Sequence, residues 1–258
     1  MGKAPGRTDA QAVARPAPRT VGVQESVPMS QSRSLLLFTA AAALLLGACG
    51  DDAKSSAEPG AAPIATLPAA GTPLPEGCAP ADGSAEQQRE FIDGPPMCLQ
   101  NGKSYRAVVE TNQGTFTVLL RPDIAPNTVN SFVNLARYRY FDGTTCHRAI
   151  QGFVVQCGDP TATGAGGPGY EFDDELSMLE PYRIGSIAMA NSGPNTQGSQ
   201  FFIITGDSGA GLPPQFTLFG QVDDDDMAVV VALDAVSNPN EGPPLQPIDI
   251  VRVTIIEQ

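Results

Sequence analysis

The run CHRAIQGFVVQCGD, Cys146 to Asp159, decides the fold of this chain. Strand-forming residues flank Gln151-Gly152, a tight-turn signal that folds the run back on itself as a hairpin. A second run, AMANSGPNTQGSQFF from Ala188 to Phe202, ends in another apolar strand pattern. Together they set one cation, Arg148, among the apolar Phe153, Val154 and Phe202, with the amides of Gln156, Asn191 and Gln200 interleaved. Amides that can meet a backbone, apolar side chains that can hold a ring and a single guanidinium suit a groove for peptide.

Outward from this hairpin the pattern is mostly strands. Residues 105–111 and 115–121 are β-rich runs joined by Asn112-Gln113-Gly114, and further strands are expected at 144–150, 153–157, 185–190, 200–205, 216–222 and 248–256. Val129, Phe132, Val133 and Leu135 recur at helical spacing over 127–138 behind Pro126, and 227–236 reads as a second helix. The expected fold is mainly β: a closed eight-stranded antiparallel barrel capped by two helices, in which closure removes the exposed sheet edges. Residues 103–258 form this domain and are enough to bury a core.

The two runs, with FDDE at 172–175 between them and TLFGQV at 217–222 after them, resemble the cyclophilin family of peptidyl-prolyl cis-trans isomerases over roughly residues 103 to 258. The resemblance implies the same barrel, no metal and no cofactor. It makes Arg148 the catalytic residue. Phe153, Val154, Phe202 and Leu212 would form the proline pocket with Phe216 beside them, Gln156 would orient Arg148 or the substrate, and Ala190, Asn191, Ser192 and Gln200 would meet the peptide backbone. This chain departs from the eukaryotic pattern: Gly211 stands where those members carry Trp, Phe216 where they carry a pocket His, and Val154 where Met is common.

Other motifs carry blander readings. Gly164 to Gly169 fits G-x-G-x-x-G literally, yet Pro168 interrupts it and no helical pattern follows, so it reads as a flexible surface loop beside the groove. Gly206-Asp207-Ser208-Gly209 with His147, the one histidine, looks like serine-protease chemistry, but the spacing is far too short for that architecture. The four acids Asp223 to Asp226 precede the 227–236 helix, where its N-terminus favours negative charge. An isomerase is therefore the first reading, a non-catalytic proline-peptide-binding module on the same barrel the second, and a serine hydrolase the third.

The N-terminal hundred residues are different in kind. Arg33 precedes an apolar stretch from Leu35 to Leu46 that ends in Leu46-Gly47-Ala48-Cys49, resembling a bacterial lipoprotein signal peptide and lipobox. On that reading residues 1–28 are an over-extended start, 29–48 the signal, Cys49 the acylated residue, 49–84 a Pro/Ala/Gly-rich tether and 85–102 an irregular lead-in. The protein would sit at the cell membrane, lipid-anchored through Cys49 on the extracytoplasmic side, a monomer acting on proline-containing peptides and unfolded secreted proteins. With 15 Lys and Arg against 28 Asp and Glu, the net charge of -13 excludes a phosphate-backbone partner, so no nucleic acid is expected. Of the 5 cysteines, Cys78 and Cys98 are the first expected bridge. Cys146 and Cys157 are either a second bridge or two reduced buried thiols. A two-residue loop between them would set them directly opposite, and a three-residue loop would offset them by one.

Overall fold

The structure, a computed structural model, describes residues 67–69, 71–177 and 180–258. The signal, Cys49 and most of the tether lie outside the described residues. Nine strands form one antiparallel sheet: β1 Tyr105–Thr111, β2 Gly114–Leu120, β3 Thr144–Thr145, β4 Arg148–Ile150, β5 Val154–Cys157, β6 Ser186–Met189, β7 Phe201–Ile204, β8 Leu218–Val222 and β9 Asp249–Glu257. Their order is β3-β9-β1-β2-β8-β6-β7-β5-β4. Nine strands replace the expected eight because the run 144–150 breaks at Cys146 and His147. Its first two residues pair with β9, and its last three with β5.

Among the described residues three α-helices accompany the sheet: α1 Pro126–Arg137, the one-turn α2 Asp207–Ala210 and α3 Met227–Ala235. None among the described residues is long and apolar enough to cross a membrane. The helix α2 was not expected; it occupies the Gly206 to Gly209 segment, where Ser208 donates its backbone N–H to Gly152 O. No hydrogen bond joins Ser208 to His147 among the described residues, and His147 lies against Gly164. The acids before α3 form a 3-10 turn, Asp224–Asp226, capped by the Asp223 side chain on Asp225 N.

The inward faces of the strands and one side of α1 make the main core, in which Phe132 meets Phe141, Phe201 and Phe219 at ring separations of 5.0, 5.6 and 5.2 Å. The N-terminus of α1 has no cap of its own at Ala125. The FDDE motif supplies one from 47 residues away: Glu175 accepts from Asn127 N at 3.0 Å, Thr128 N at 2.8 Å and Thr128 Oγ1 at 2.7 Å. A carboxylate here satisfies orphan amides and complements the helix dipole.

The outer face of α1 is polar yet buried, because the lead-in segment covers it together with Cys78 and Ala79, the end of the expected tether, which the structure docks on the domain. Irregular backbone needs partners for its N–H groups. Asn134 Oδ1 accepts from Ala79 N at 2.8 Å and Asn130 Oδ1 from Cys98 N at 2.7 Å. The expected bridge Cys78–Cys98 is present with Cα atoms 5.6 Å apart, and of the two alternatives for Cys146 and Cys157 the structure has the bridge, with Cα atoms 4.0 Å apart. The β4–β5 loop has three residues, since Ile150 faces Val154, so the second pair is offset by one. The bridge forms nonetheless, because Cys146 has left the β4 register to donate its N–H to Ile248 O.

Candidate active site

Strand pairing alone assembles the centre of the site. Arg148 faces Gln156 across β4–β5, Gln156 faces Phe202 across β5–β7, Phe202 faces Ala188 across β7–β6, and Ala188 faces Leu218 across β6–β8. Side chains directly opposite in a sheet share a face. These five therefore form one row on the side away from the main core, while Ala149, Val155 and Phe201 point into it.

Around the row lies a second, smaller apolar cluster. Val154, Tyr182, Ala188, Phe202, Ile204 and Leu218 are buried in it, and Phe153, Ala190, Leu212 and Phe216 pack on it while partly exposed. The partly exposed rim of this cluster makes an apolar hollow on the outside of the sheet, a surface suited to an apolar ligand. Phe216 closes one side, its ring edge-on to Phe202 with centroids 5.2 Å apart. Tyr182 fixes it there: its hydroxyl donates to Phe216 O at 2.6 Å and accepts from Phe216 N at 3.0 Å.

The Arg148 guanidinium sits 5.6 Å from the centroid of Phe153, at the edge of this hollow. Its Nε and Nη2 form a two-pronged pair with Glu241, Nη2 to Oε2 being 3.0 Å, which leaves Nη1 free of that carboxylate. Arg148 holds the Glu241 carboxyl below its ordinary range through these hydrogen bonds, so the pair persists at neutral pH. Glu241 is nevertheless exposed, and an exposed pair contributes about 0–1 kcal/mol. Glu241→Gln is thus expected to change kcat/KM for an X-Pro peptide by no more than about fivefold, measured by peptide exchange kinetics. A larger loss would give the carboxylate a bigger share in fixing the guanidinium.

Beside the hollow is a cavity of about 600 Å³ lined by Gln156, Ala190, Asn191, Ser192 and Gln200 on one side and by the glycine-rich segment 164–169 with Tyr170 on the other. Gln156 does not touch Arg148 through a hydrogen bond; its Nε2 donates to Gln200 Oε1 at 2.9 Å. Gln200 in turn donates to Gly164 O at 3.0 Å and Gly166 O at 2.9 Å. Asn191 Nδ2 donates to Gln215 O at 3.1 Å, and Ser192 N to Thr196 Oγ1 at 2.8 Å. The amides expected to meet peptide thus also hold the walls together.

The glycine segment is wound around Asp159, which is fully buried. Its carboxylate accepts from Thr161 N and Oγ1 at 2.7 Å each, Thr163 N at 3.0 Å, Gly164 N at 2.6 Å and Gly166 N at 3.1 Å. Burial alone would push this carboxyl up, but the hydrogen bonds prevail and hold it at about 2. A Cβ on Gly166 would lie 2.0 Å from Asp159 Oδ1, so only glycine fits there. His147, by contrast, is held below its usual value chiefly by burial, against the pull of Asp159. It has no role in the row.

The sequence singled out Arg148, Phe153, Val154, Gln156, Ala190, Asn191, Ser192, Gln200, Phe202, Leu212 and Phe216, and the fold gathers all of them at the hollow or the cavity. It missed Tyr182, Glu241 and Asp159. Glu241 lies 93 residues from Arg148 in a Pro/Gly-rich loop with no local signal. Asp159 had one: Asp159-Pro160 is a turn-initiating pair.

An antiparallel β fold with a guanidinium at the rim of an apolar hollow defines a peptide-groove protein. The family model "Cyclophilin type peptidyl-prolyl cis-trans isomerase/CLD" matches residues 106–255, and the chain belongs to that family. It is similar to "Probable peptidyl-prolyl cis-trans isomerase B" of Mycobacterium tuberculosis, with 42% identity over 163 residues covering 56% of this chain and 52% of the relative. "Probable peptidyl-prolyl cis-trans isomerase A" of Mycobacterium leprae is 40% identical over 169 residues, 58% of this chain and 91% of the relative. The chain spans about half the length, 52%, of the first of these relatives. A crystal structure of a Cryptosporidium parvum cyclophilin type isomerase superposes with TM-score 0.55 at 32% identity, covering 59% of this chain and 98% of that one. The same protein in the presence of the dipeptide Ala-Pro gives 0.54 at 32% identity, covering 58% of this chain and 98% of that one.

Proposed function

We propose that this chain is a peptidyl-prolyl cis-trans isomerase that acts on X-Pro bonds of peptides and unfolded secreted proteins. One observation carries the reading: the row Arg148–Gln156–Phe202–Ala188–Leu218, which sets a guanidinium beside an apolar cluster with a partly exposed rim on one sheet face. The X-Pro bond resists rotation because the nitrogen lone pair is shared with the carbonyl, a barrier of about 18–20 kcal/mol. The hollow holds the pyrrolidine ring still. As the amide twists, the nitrogen pyramidalises and its lone pair becomes an acceptor, which a free N–H of Arg148 can meet. That bond exists in the twisted state and not in the planar one, so it lowers the barrier instead of merely tightening binding. The polar cavity beside Gln156 takes the neighbouring peptide residues. Exchange of a short X-Pro peptide, followed with the purified protein, tests the activity; no acceleration over buffer would refute it.

The sheet is read as a closed barrel because its two outer strands, β3 and β4, lie on the single run 144–150, so the chain itself joins the edges. Location follows from Cys49. A cysteine carrying a thioether-linked diacylglycerol holds two acyl chains, each buried CH₂ contributing about 0.8 kcal/mol, which anchors a protein stably. Cys49→Ser is expected to move the protein from the membrane fraction to the soluble fraction almost completely, as read by fractionation and intact mass. Retention of the variant on membranes would remove the anchor from the proposal.

A further inference from the structure

The wall of the cavity opposite Gln156 is built from backbone with hardly any side chains: Gly164, Ala165, Gly166, Gly167, Pro168 and Gly169. Glycine-rich backbone loses the most entropy on ordering and has nothing of its own to pack. Asp159 holds the front half. The rear half, Pro168 to Tyr170, is held by a segment outside the family-matched residues 106–255.

That segment is the loop closed by Cys78–Cys98, with a sequence separation of 20. Its ends dock on α1 through Asn134 and Asn130, and its middle presents Phe91. Phe91 N donates to Pro168 O at 2.8 Å. Gly169, at φ +100, brings its backbone so close that a Cβ would lie 2.3 Å from Phe91 O. The Phe91 ring meets Tyr170 edge-on at 6.3 Å and Tyr138 at 5.4 Å, and Tyr170 is tied to α1 by its hydroxyl on Ser131 Oγ at 2.8 Å.

We propose that the Cys78–Cys98 loop buttresses the cavity wall, with Phe91 as a positioning residue, so that peptide affinity depends on a disulfide-closed segment outside the catalytic row. The ring and its backbone N–H hold Pro168 and Tyr170 at the distance the cavity needs. Without them the glycine-rich wall samples wider positions, and a peptide must order it on binding. This rests on the cavity being part of the peptide site. The cost therefore falls on binding of peptides long enough to reach the cavity, and not on rotation of the X-Pro bond at Arg148.

The test uses the full chain and a proline-containing hexapeptide, with binding measured by NMR titration and kcat and KM by exchange kinetics. Phe91→Ala is expected to raise Kd and KM about tenfold with kcat unchanged. Phe91→Tyr, which keeps the ring, should restore both, and Ile92→Ala should match wild type because that side chain is 93% exposed. The Cys78→Ser/Cys98→Ser double variant should shift Kd in the same direction as Phe91→Ala. If Phe91→Ala fails to accumulate, Phe91→Leu carries the same prediction with the ring edge lost and most of the volume kept. Unchanged affinity in a ring-less variant, or loss of kcat with KM unaltered, overturns the buttress alone. Failure of wild type to bind the hexapeptide overturns the groove reading and the buttress with it.

Discussion

Replacing Arg148 by alanine is expected to lower kcat/KM for an X-Pro peptide by at least about 100-fold, some 2.7 kcal/mol of transition-state stabilisation, with little change in melting temperature. The magnitude follows from what the guanidinium does. It offers a preorganised donor to a lone pair that exists only in the twisted amide, in a site already partly shielded from water. The small stability change follows from its surroundings: the side chain is 30% exposed and its partner Glu241 69% exposed, so the fold gains little from the pair. KM should move far less than kcat, because the apolar hollow of Phe202, Val154 and Leu212 is untouched. Arg148→Lys should recover only part of the loss, since an ammonium lacks the planar fork that lets one edge rest on Glu241 while another N–H faces the peptide. If Arg148→Ala and wild type accelerate exchange equally, the protein is no isomerase through this residue. The same groove would then be a binding module for proline peptides, and peptide affinity without rate enhancement would identify it.

Much of this site is legible in the sequence because it is built on strands. A period of two fixes which residues share a face once pairing is known, so Phe202 could be separated from its neighbour Phe201, which packs on Phe132 in the core. The hairpin around Gln151-Gly152 likewise puts Arg148 opposite Gln156 within a few residues. What the sequence hid are contacts that cross long spans through irregular backbone. Glu175 capping α1, Glu241 holding Arg148 and the lead-in covering Asn130 and Asn134 have no periodicity to betray them. The two asparagines were a clue in retrospect: a polar helix face that must satisfy irregular backbone favours side chains able to both donate and accept, and Asn130 does both, to Pro96 O and from Cys98 N. The break in the run 144–150 was hidden for a related reason. Both halves have strand propensity, and only the three-dimensional path sends them to opposite ends of the sheet order.

Asp159→Ala is expected to destabilise the domain by about 3 kcal/mol or more, because four backbone N–H groups and two hydroxyls lose a charged acceptor at once. For a domain of this size that lowers Tm by roughly 6–12 °C. Asp159→Asn separates charge from shape. The wild-type carboxyl is held at about 2, below its ordinary 3.8, so between those values the unfolded chain binds more protons than the folded one. Its contribution is therefore complete above about pH 4 and is lost as pH falls toward 2, amounting to about 2 kcal/mol. The asparagine variant has no such proton to take up. Its stability should be lower at pH 7 and fall less steeply between pH 4 and 2, as measured by denaturant unfolding at each pH. Equal acid slopes in the two proteins would show that the glycine-rich wall is held by hydrogen bonding without help from the charge. Peptide affinity supplies the second readout: the same wall lines the cavity, so both variants should bind a proline hexapeptide more weakly than wild type even at neutral pH, where each remains folded.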